Sequence, residues 1–264
     1  MAEPGPPLLE LDGITKSFGA VVVADGLSLR VGDGDMVGIV GPNGAGKTSL
    51  FSLISGDLRP DAGEIRLGGA AVSRLGPAAR CRLGIGRTYQ TPRPFGAMTV
   101  FENVLVAVQQ GAGLRRKASY QRAAAVLERS GLAAEANSPA DRLGLLQRKR
   151  LELARALATG PRLLLLDEVA GGLTDPEVAQ LVEIVAAIRR DGVAVIWIEH
   201  VVRALTATVT RLLCLAGGSF VGDGAPAQVL ALPRVREVFL GTEVSTSLAG
   251  TPDEPAGPEP GEAP

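Results

Sequence analysis

Gly41 to Thr48 reads GPNGAGKT, which fills the pattern G-x-x-x-x-G-K-[ST] at every fixed position. Glycines at Gly41, Gly44 and Gly46 let a backbone curl until successive N–H groups face one point, and a following helix turns its N-terminus toward the same point. Such a nest suits an anion of the phosphate type. Lys47 can then reach the outer phosphates of a nucleotide, and the Thr48 hydroxyl can ligand Mg²⁺. Pro42, Asn43, Ala45 and Ser49 complete the candidate cradle. With four lysines in the chain, a chance lysine at this one place is improbable. A glycine-rich turn that only caps a helix is the alternative, and a strand before the loop with a helix after it separates the two.

Three further stretches could complete a reaction centre. LLLLDE, Leu163 to Glu168, is an apolar run that delivers two carboxylates to its end. At the C-terminal edge of an open α/β sheet Asp167 could hold Mg²⁺ through water, while Glu168, pointing differently, could polarise an attacking water. Alone, such an ending also suits acids that cap the next helix. WIEH ends the next apolar run with His200, the single histidine, which could hydrogen-bond a phosphate or the same water. RTYQ, Arg87 to Gln90, precedes a proline-rich loop, and Gln90 could link Mg²⁺ or the water to the segment beyond that loop. A lone histidine or glutamine would be unremarkable without the phosphate loop.

These side chains need a sheet to align them. Residues 8 to 40 alternate β-favouring runs with Gly and Asp, as short strands joined by turns do. MVGIV leads directly into the glycine loop, and SLFSLISG has helical spacing after it. Residues 61 to 90 read as a further strand and turn region. Val100 to Gln109 and Tyr120 to Arg129 carry helical patterns, which predicts a helical insert over about residues 91–158. LLLLDE and GVAVIWIEH are the all-apolar runs of parallel strands buried on both faces, with a helix from Pro176 to Arg190 between them. From about Glu243 the chain is rich in Pro, Gly and acid without a periodic apolar face, so a disordered tail is expected over residues 243–264.

Composition bounds the function classes. The 264 residues are 46% apolar and 21% charged, a folded composition. With 27 Lys and Arg against 28 Asp and Glu, the net charge of -1 offers no global attraction to nucleic acid, which is not an expected partner. Cys81 and Cys214 are too few for a disulfide scaffold or a cysteine zinc site, so a reducing compartment is expected. The N-terminal residues lack a basic region followed by a long apolar stretch, and no apolar run approaches about 18 residues. Neither a signal peptide nor a membrane span is expected.

GPNGAGKTS, Gln90 ahead of the helical insert, QRKRLELARAL, LLLLDE and His200 together resemble the ATP-binding subunits of ABC transporters, in order and spacing over about residues 8 to 242. RTYQTPRPF, QRKRLELARALAT, LLLLDEVAGGLT and IEHVV resemble more narrowly the ATPases of branched-chain amino-acid importers. The resemblance implies an α/β fold, a P-loop NTPase core with an antiparallel β subdomain and a helical subdomain, over residues 1–242. It implies ATP and Mg²⁺ as ligands and transmembrane permease subunits as partners. It also implies a peripheral location on the cytoplasmic face of the inner membrane. Phe18 falls at the aromatic position that stacks on adenine; a core phenylalanine on a strand is the structural alternative. TVFENV, Thr99 to Val104, falls where such ATPases receive a coupling helix from a membrane subunit.

The family's signature is usually LSGGQ, a loop that meets the γ-phosphate bound by a second ATPase subunit. Here Leu143, Gly144, Leu145, Leu146 and Gln147 occupy those positions, so the serine is absent and both glycine positions hold leucine. Leucines would crowd a phosphate and supply no hydroxyl, although backbone N–H groups and the helix dipole remain. Thr174 stands where an aspartate is usual, and Val169 where proline is common. The expectation is a heterodimer, in which the partner supplies an intact signature to this chain's ATP. A soluble ABC-type ATPase, or a nucleotide-binding module of weak turnover, is the alternative function. A GTPase is disfavoured because no N-K-x-D motif occurs, and a kinase because Glu168 beside Asp167 suits water activation.

Overall fold

The computed structural model describes residues 7–238. The expected tail and the expected domain end at residue 242 lie outside the described residues. β1 (Leu9–Phe18) and β2 (Val21–Val31) are long antiparallel strands rather than short ones. β3 (Met36–Val40) then enters a second sheet, and α1 (Lys47–Ser55) succeeds the glycine loop. β4 (Ala62–Leu67) and β5 (Ala70–Ala71) return to the first sheet, whose order is β2-β1-β4-β5. The region read as strand and turn also holds a six-residue helix, α2 (Pro77–Arg82), before β6 (Ile85–Arg87). PAARCR is too short to develop an apolar period; the proline in its first turn is the sequence mark of its start.

Three helices fill the insert: α3 (Val100–Gln110), α4 (Arg116–Arg129) and α5 (Leu145–Ala158), packed on one another. Thr99 starts α3 with a capping box: its hydroxyl accepts from the Glu102 N–H, and the Glu102 carboxylate accepts from the Thr99 N–H. α4 begins four residues before the patterned segment, because its first turn, RKAS, carries no large apolar residue. The chain continues through β7 (Leu163–Asp167), α6 (Asp175–Arg190), β8 (Ala194–Ile198), α7 (Val202–Thr206), β9 (Arg211–Ala216), β10 (Ser219–Gly224) and α8 (Pro226–Ala231).

The six-stranded sheet has the order β10-β9-β3-β8-β7-β6, parallel except for β10. Side chains alternate across it, so each strand feeds two cores. Leu163, Leu165, Ile196 and Ile198 face α1 and the antiparallel sheet. Leu164, Leu166, Val195 and Trp197 face the helices, with Val104, Leu153 and Leu181. A strand with apolar neighbours on both faces has no polar position to spare, which explains the run of four leucines.

Removing the Leu164 side chain, fully buried on the helical face, opens a cavity that the rigid sheet cannot close. Leu164→Ala should lower the unfolding free energy by about 2–5 kcal/mol. Urea unfolding followed by the fluorescence of Trp197, itself fully buried, checks this.

Candidate functional site

The glycine loop is threaded through a gap that only glycine fits. Gly41 has φ 155°, and a Cβ there would lie 2.1 Å from the Leu215 carbonyl oxygen. Gly46, at φ 101°, would set a Cβ 2.3 Å from the Val23 carbonyl oxygen. The turn closes through the Ala45 N–H on the Pro42 carbonyl, and the Gly46 carbonyl accepts from the Leu50 N–H as α1 begins. Lys47 is buried, its Nζ donating to the carbonyls of Gly41 at 2.7 Å and Pro42 at 2.9 Å. Burial pushes its ammonium below the usual lysine range, opposed by the charges of Glu168 and Asp167. Asn43, Gly44, Ala45, Gly46, Thr48 and Ser49 line a cleft of about 360 Å³ beside it, with Gln90 and Glu168 on the other wall.

The chain reverses sharply after β7. Glu168 is a non-glycine residue with φ 48°, a left-handed conformation that persists only where its surroundings hold it. Its N–H donates to the Ile198 carbonyl at 2.9 Å, and its side chain returns toward the cleft. One carboxylate oxygen accepts from the Gln90 amide. The other lies 2.8 Å from His200 Nε2. Three residues from three different segments thus meet at one carboxylate, across the cleft from the phosphate loop.

Asp167 is placed differently, buried behind Glu168. Its Oδ2 accepts from Arg87 Nη2 at 3.3 Å, while Oδ1 is buried with no hydrogen-bond partner. Burial raises its carboxyl above the usual aspartate range, opposed chiefly by Arg87. The same guanidinium reaches Ser52 and Ser55 on α1 and pairs with Asp57 at 3.1 Å, and it lies over the Tyr89 ring. Arg87 stood in the RTYQ motif without a role: its hydrogen-bond partners lie 30 to 80 residues away in sequence, and no local pattern marks them.

Phe18 is 49% exposed at the end of β1, with Lys16 Nζ 5.4 Å from its ring centroid, and is not a core residue. In the signature segment, Gly144 caps α5 in an extended conformation. The two leucines after it part company: Leu145 is 47% exposed and Leu146 is buried. Of the two leucines expected to face a partner's phosphate, only Leu145 is exposed in this chain, since the turn of the helix carries the next side chain inward. Leu145 leans over the Gly172 backbone, and Gln147 folds back to within 2.9 Å of where a Gly144 Cβ would stand. Thr174 has a local use: the Glu177 carboxylate accepts from its N–H and its hydroxyl, starting α6. Those donors hold the Glu177 carboxyl below the usual range.

Arg87 and Asp167 have side chains 7% and 3% exposed, a buried pair. Arg87→Met leaves the carboxylate buried without its cation and should cost about 3–5 kcal/mol of stability. Urea denaturation against the parent chain measures it.

The profile of the ABC transporter family matches residues 24–171. The high-affinity branched-chain amino acid transport ATP-binding protein BraF of Pseudomonas aeruginosa is 36% identical over 250 residues, covering 89% of this chain and 98% of its own. The lipopolysaccharide export system ATP-binding protein LptB of Acidithiobacillus ferridurans is 34% identical over 236 residues, with the same coverage of both chains. Among solved structures, the ADP conformation of an ATP-binding cassette of an ABC transporter superposes with a TM-score of 0.82 at 28% identity, covering 89% of this chain and 99% of that one. The phosphate loop, the paired carboxylates and the two-sheet fold with its helical layer agree with these matches, and the chain belongs to the ABC transporter family as one of its ATP-hydrolysing, ATP-binding subunits.

Proposed function

We propose that this chain binds ATP with Mg²⁺ and hydrolyses it to energise a membrane importer for branched-chain amino acids or related solutes. The observation that carries the proposal is the Glu168 carboxylate, held by Gln90 and His200 across the cleft from the phosphate loop. Lys47 and the N–H groups opening α1 supply positive charge to the phosphates. Phe18 offers an exposed ring for adenine at the end of β1.

The donor set fits a divalent cation: the orphaned Asp167 Oδ1, the exposed Thr48 hydroxyl and the Gln90 amide oxygen are hard oxygen ligands, with Thr48 and Gln90 on the cleft. Mg²⁺ bound there would offset phosphate charge. Glu168 takes a proton from the attacking water, and His200, hydrogen-bonded to the same carboxylate, fixes its orientation. Arg87 keeps one Asp167 oxygen occupied, which would leave the other for the cation.

Glu168→Gln keeps the amide hydrogen bonds but loses the base. Nucleotide affinity should remain within about twofold while turnover falls on the order of 10²-fold or more. Equilibrium binding and phosphate release, measured on the same protein, check this; normal turnover would remove Glu168 from its role.

Import is supported by the resemblance of RTYQTPRPF and IEHVV to branched-chain amino-acid ATPases and by the identity to BraF. Permease docking fits the groove of about 310 Å³ between the sheet and the helical layer, where Tyr89, Ala107 and Arg155 are accessible, one turn along α3 from TVFENV. Among the described residues no helix is long and apolar enough to cross a membrane. Attachment to the cytoplasmic face of the inner membrane then runs through the permease. Co-purification with a transmembrane subunit tests this reading against a soluble ATPase.

The exposed Leu145, with Gly144 in place of a serine, favours a heterodimer in which a second ATPase subunit brings the intact signature. Loss of one transition-state donor costs on the order of 10²-fold. ATPase rates of the chain alone should therefore rise by about that factor when the second subunit is added, and equal rates would remove the asymmetry.

A further inference from the structure

Lys149 stands on the second turn of α5, one of four lysines in the chain, and its side chain is buried. A buried ammonium is unfavourable unless its donors and charge are answered. Its Nζ donates to the Gln90 carbonyl at 2.9 Å and to the Glu168 carbonyl at 3.0 Å. Those are the main-chain oxygens of the two residues whose side chains hydrogen-bond each other beside the cleft. One belongs to the loop after β6 and the other to the turn after β7, and the cation belongs to neither.

Glu168 is the residue that needs such a tie. Its left-handed conformation is fixed at the nitrogen by the Ile198 carbonyl, through the sheet. At the carbonyl it is fixed by Lys149 and, more weakly, by the Gly171 N–H at 3.3 Å. Burial lowers the Lys149 ammonium from the usual lysine range, opposed by the surrounding charges of Glu199, Glu168, Asp167 and Glu152.

We propose that Lys149 is a positioning residue: through the Gln90 and Glu168 carbonyls it sets the geometry of the water-activating pair and ties that geometry to the N-terminus of α5. The segment Gly144 to Gln147 lies one turn before Lys149 on the same helix. A shift of that segment moves the ammonium, and with it the backbone that aims Glu168. The proposal rests on Glu168 acting as the base, and its experiment separates the two.

The test measures ATP turnover, KM and nucleotide affinity for Lys149→Met, which keeps the stem and removes the donors. Misplacing a catalytic group by about 1 Å can cost on the order of 10²-fold, so kcat should fall at least about tenfold with KM and nucleotide affinity within about twofold. Lys149→Arg, which can still donate to two carbonyls, should recover most of the rate. In a Glu168→Gln background, Lys149→Met should change the residual rate less than about twofold, because the group it positions is already gone. If Lys149→Met does not fold, Lys149→Gln, too short to reach both carbonyls, carries the same expectation.

Unchanged kcat in the substituted chain, or an equal proportional loss of nucleotide affinity, overturns the proposal. So does a full additional loss in the Glu168→Gln background. Normal turnover by Glu168→Gln alone overturns the base assignment instead, and an unchanged kcat for Lys149→Met beside an inactive Glu168→Gln overturns the Lys149 proposal alone.

Discussion

In the parallel ladder of the larger sheet, Ile198 pairs with both Ile39 and Asp167, and Leu165 pairs with Arg87. Three strands, β3, β7 and β8, therefore end near one level, β6 ends two residues short of it, and the residues after each of the four are delivered to the same edge. The phosphate loop comes after β3, Glu168 after β7, His200 after β8, and Gln90 after β6. A shift of one residue in any of these pairings would turn that strand's apolar residues toward the wrong core. The two cores thus fix the register, and the register fixes the site.

Around that edge the protein buries opposite charges in close company. Lys47, Arg87 and Lys149 stand near Asp167, Glu168, Glu152 and Glu199, and burial opposes the charged forms of Lys47, Lys149, Glu152, Asp167 and Glu199. Each cation answers a different need. Lys47 is held by the loop's own carbonyls, Arg87 joins α1 to Asp167, and Lys149 joins the helical layer to Glu168. Removing one member leaves its partner desolvated, so the cluster behaves as a unit rather than as separable contacts.

The helical layer meets the sheet through α5, which carries both the leucine-substituted signature and Lys149. Leu146 and Leu143 are buried, so two of the three leucines in that segment have a packing role within this chain. Leu145 is the exception, exposed beside Gly172. Of the three positions that depart from the usual signature, Gly144 and Leu145 are the exposed ones in this chain.

The fold class and much of the candidate site were legible because their signals are local. GPNGAGKT encodes its own backbone path, LLLLDE and AVIWIEH encode strands buried on both faces, and Thr99 with Glu102 encodes a helix start. α2 and the first turn of α4 were not legible, since short or polar segments carry no apolar period. Arg87 and Lys149 are the clearest case of what sequence alone leaves open: both stand in recognisable motifs, yet their partners are Asp167 at a separation of 80 residues, and Gln90 and Glu168 at 59 and 19. Which of two adjacent leucines faces solvent was likewise decided by how α5 packs. The loop, the strands and the residues offered to the candidate site can be read along the chain, because they depend on neighbours in sequence. Which cation serves which carboxylate or carbonyl emerges with the close packing of segments far apart in sequence, which no local pattern records.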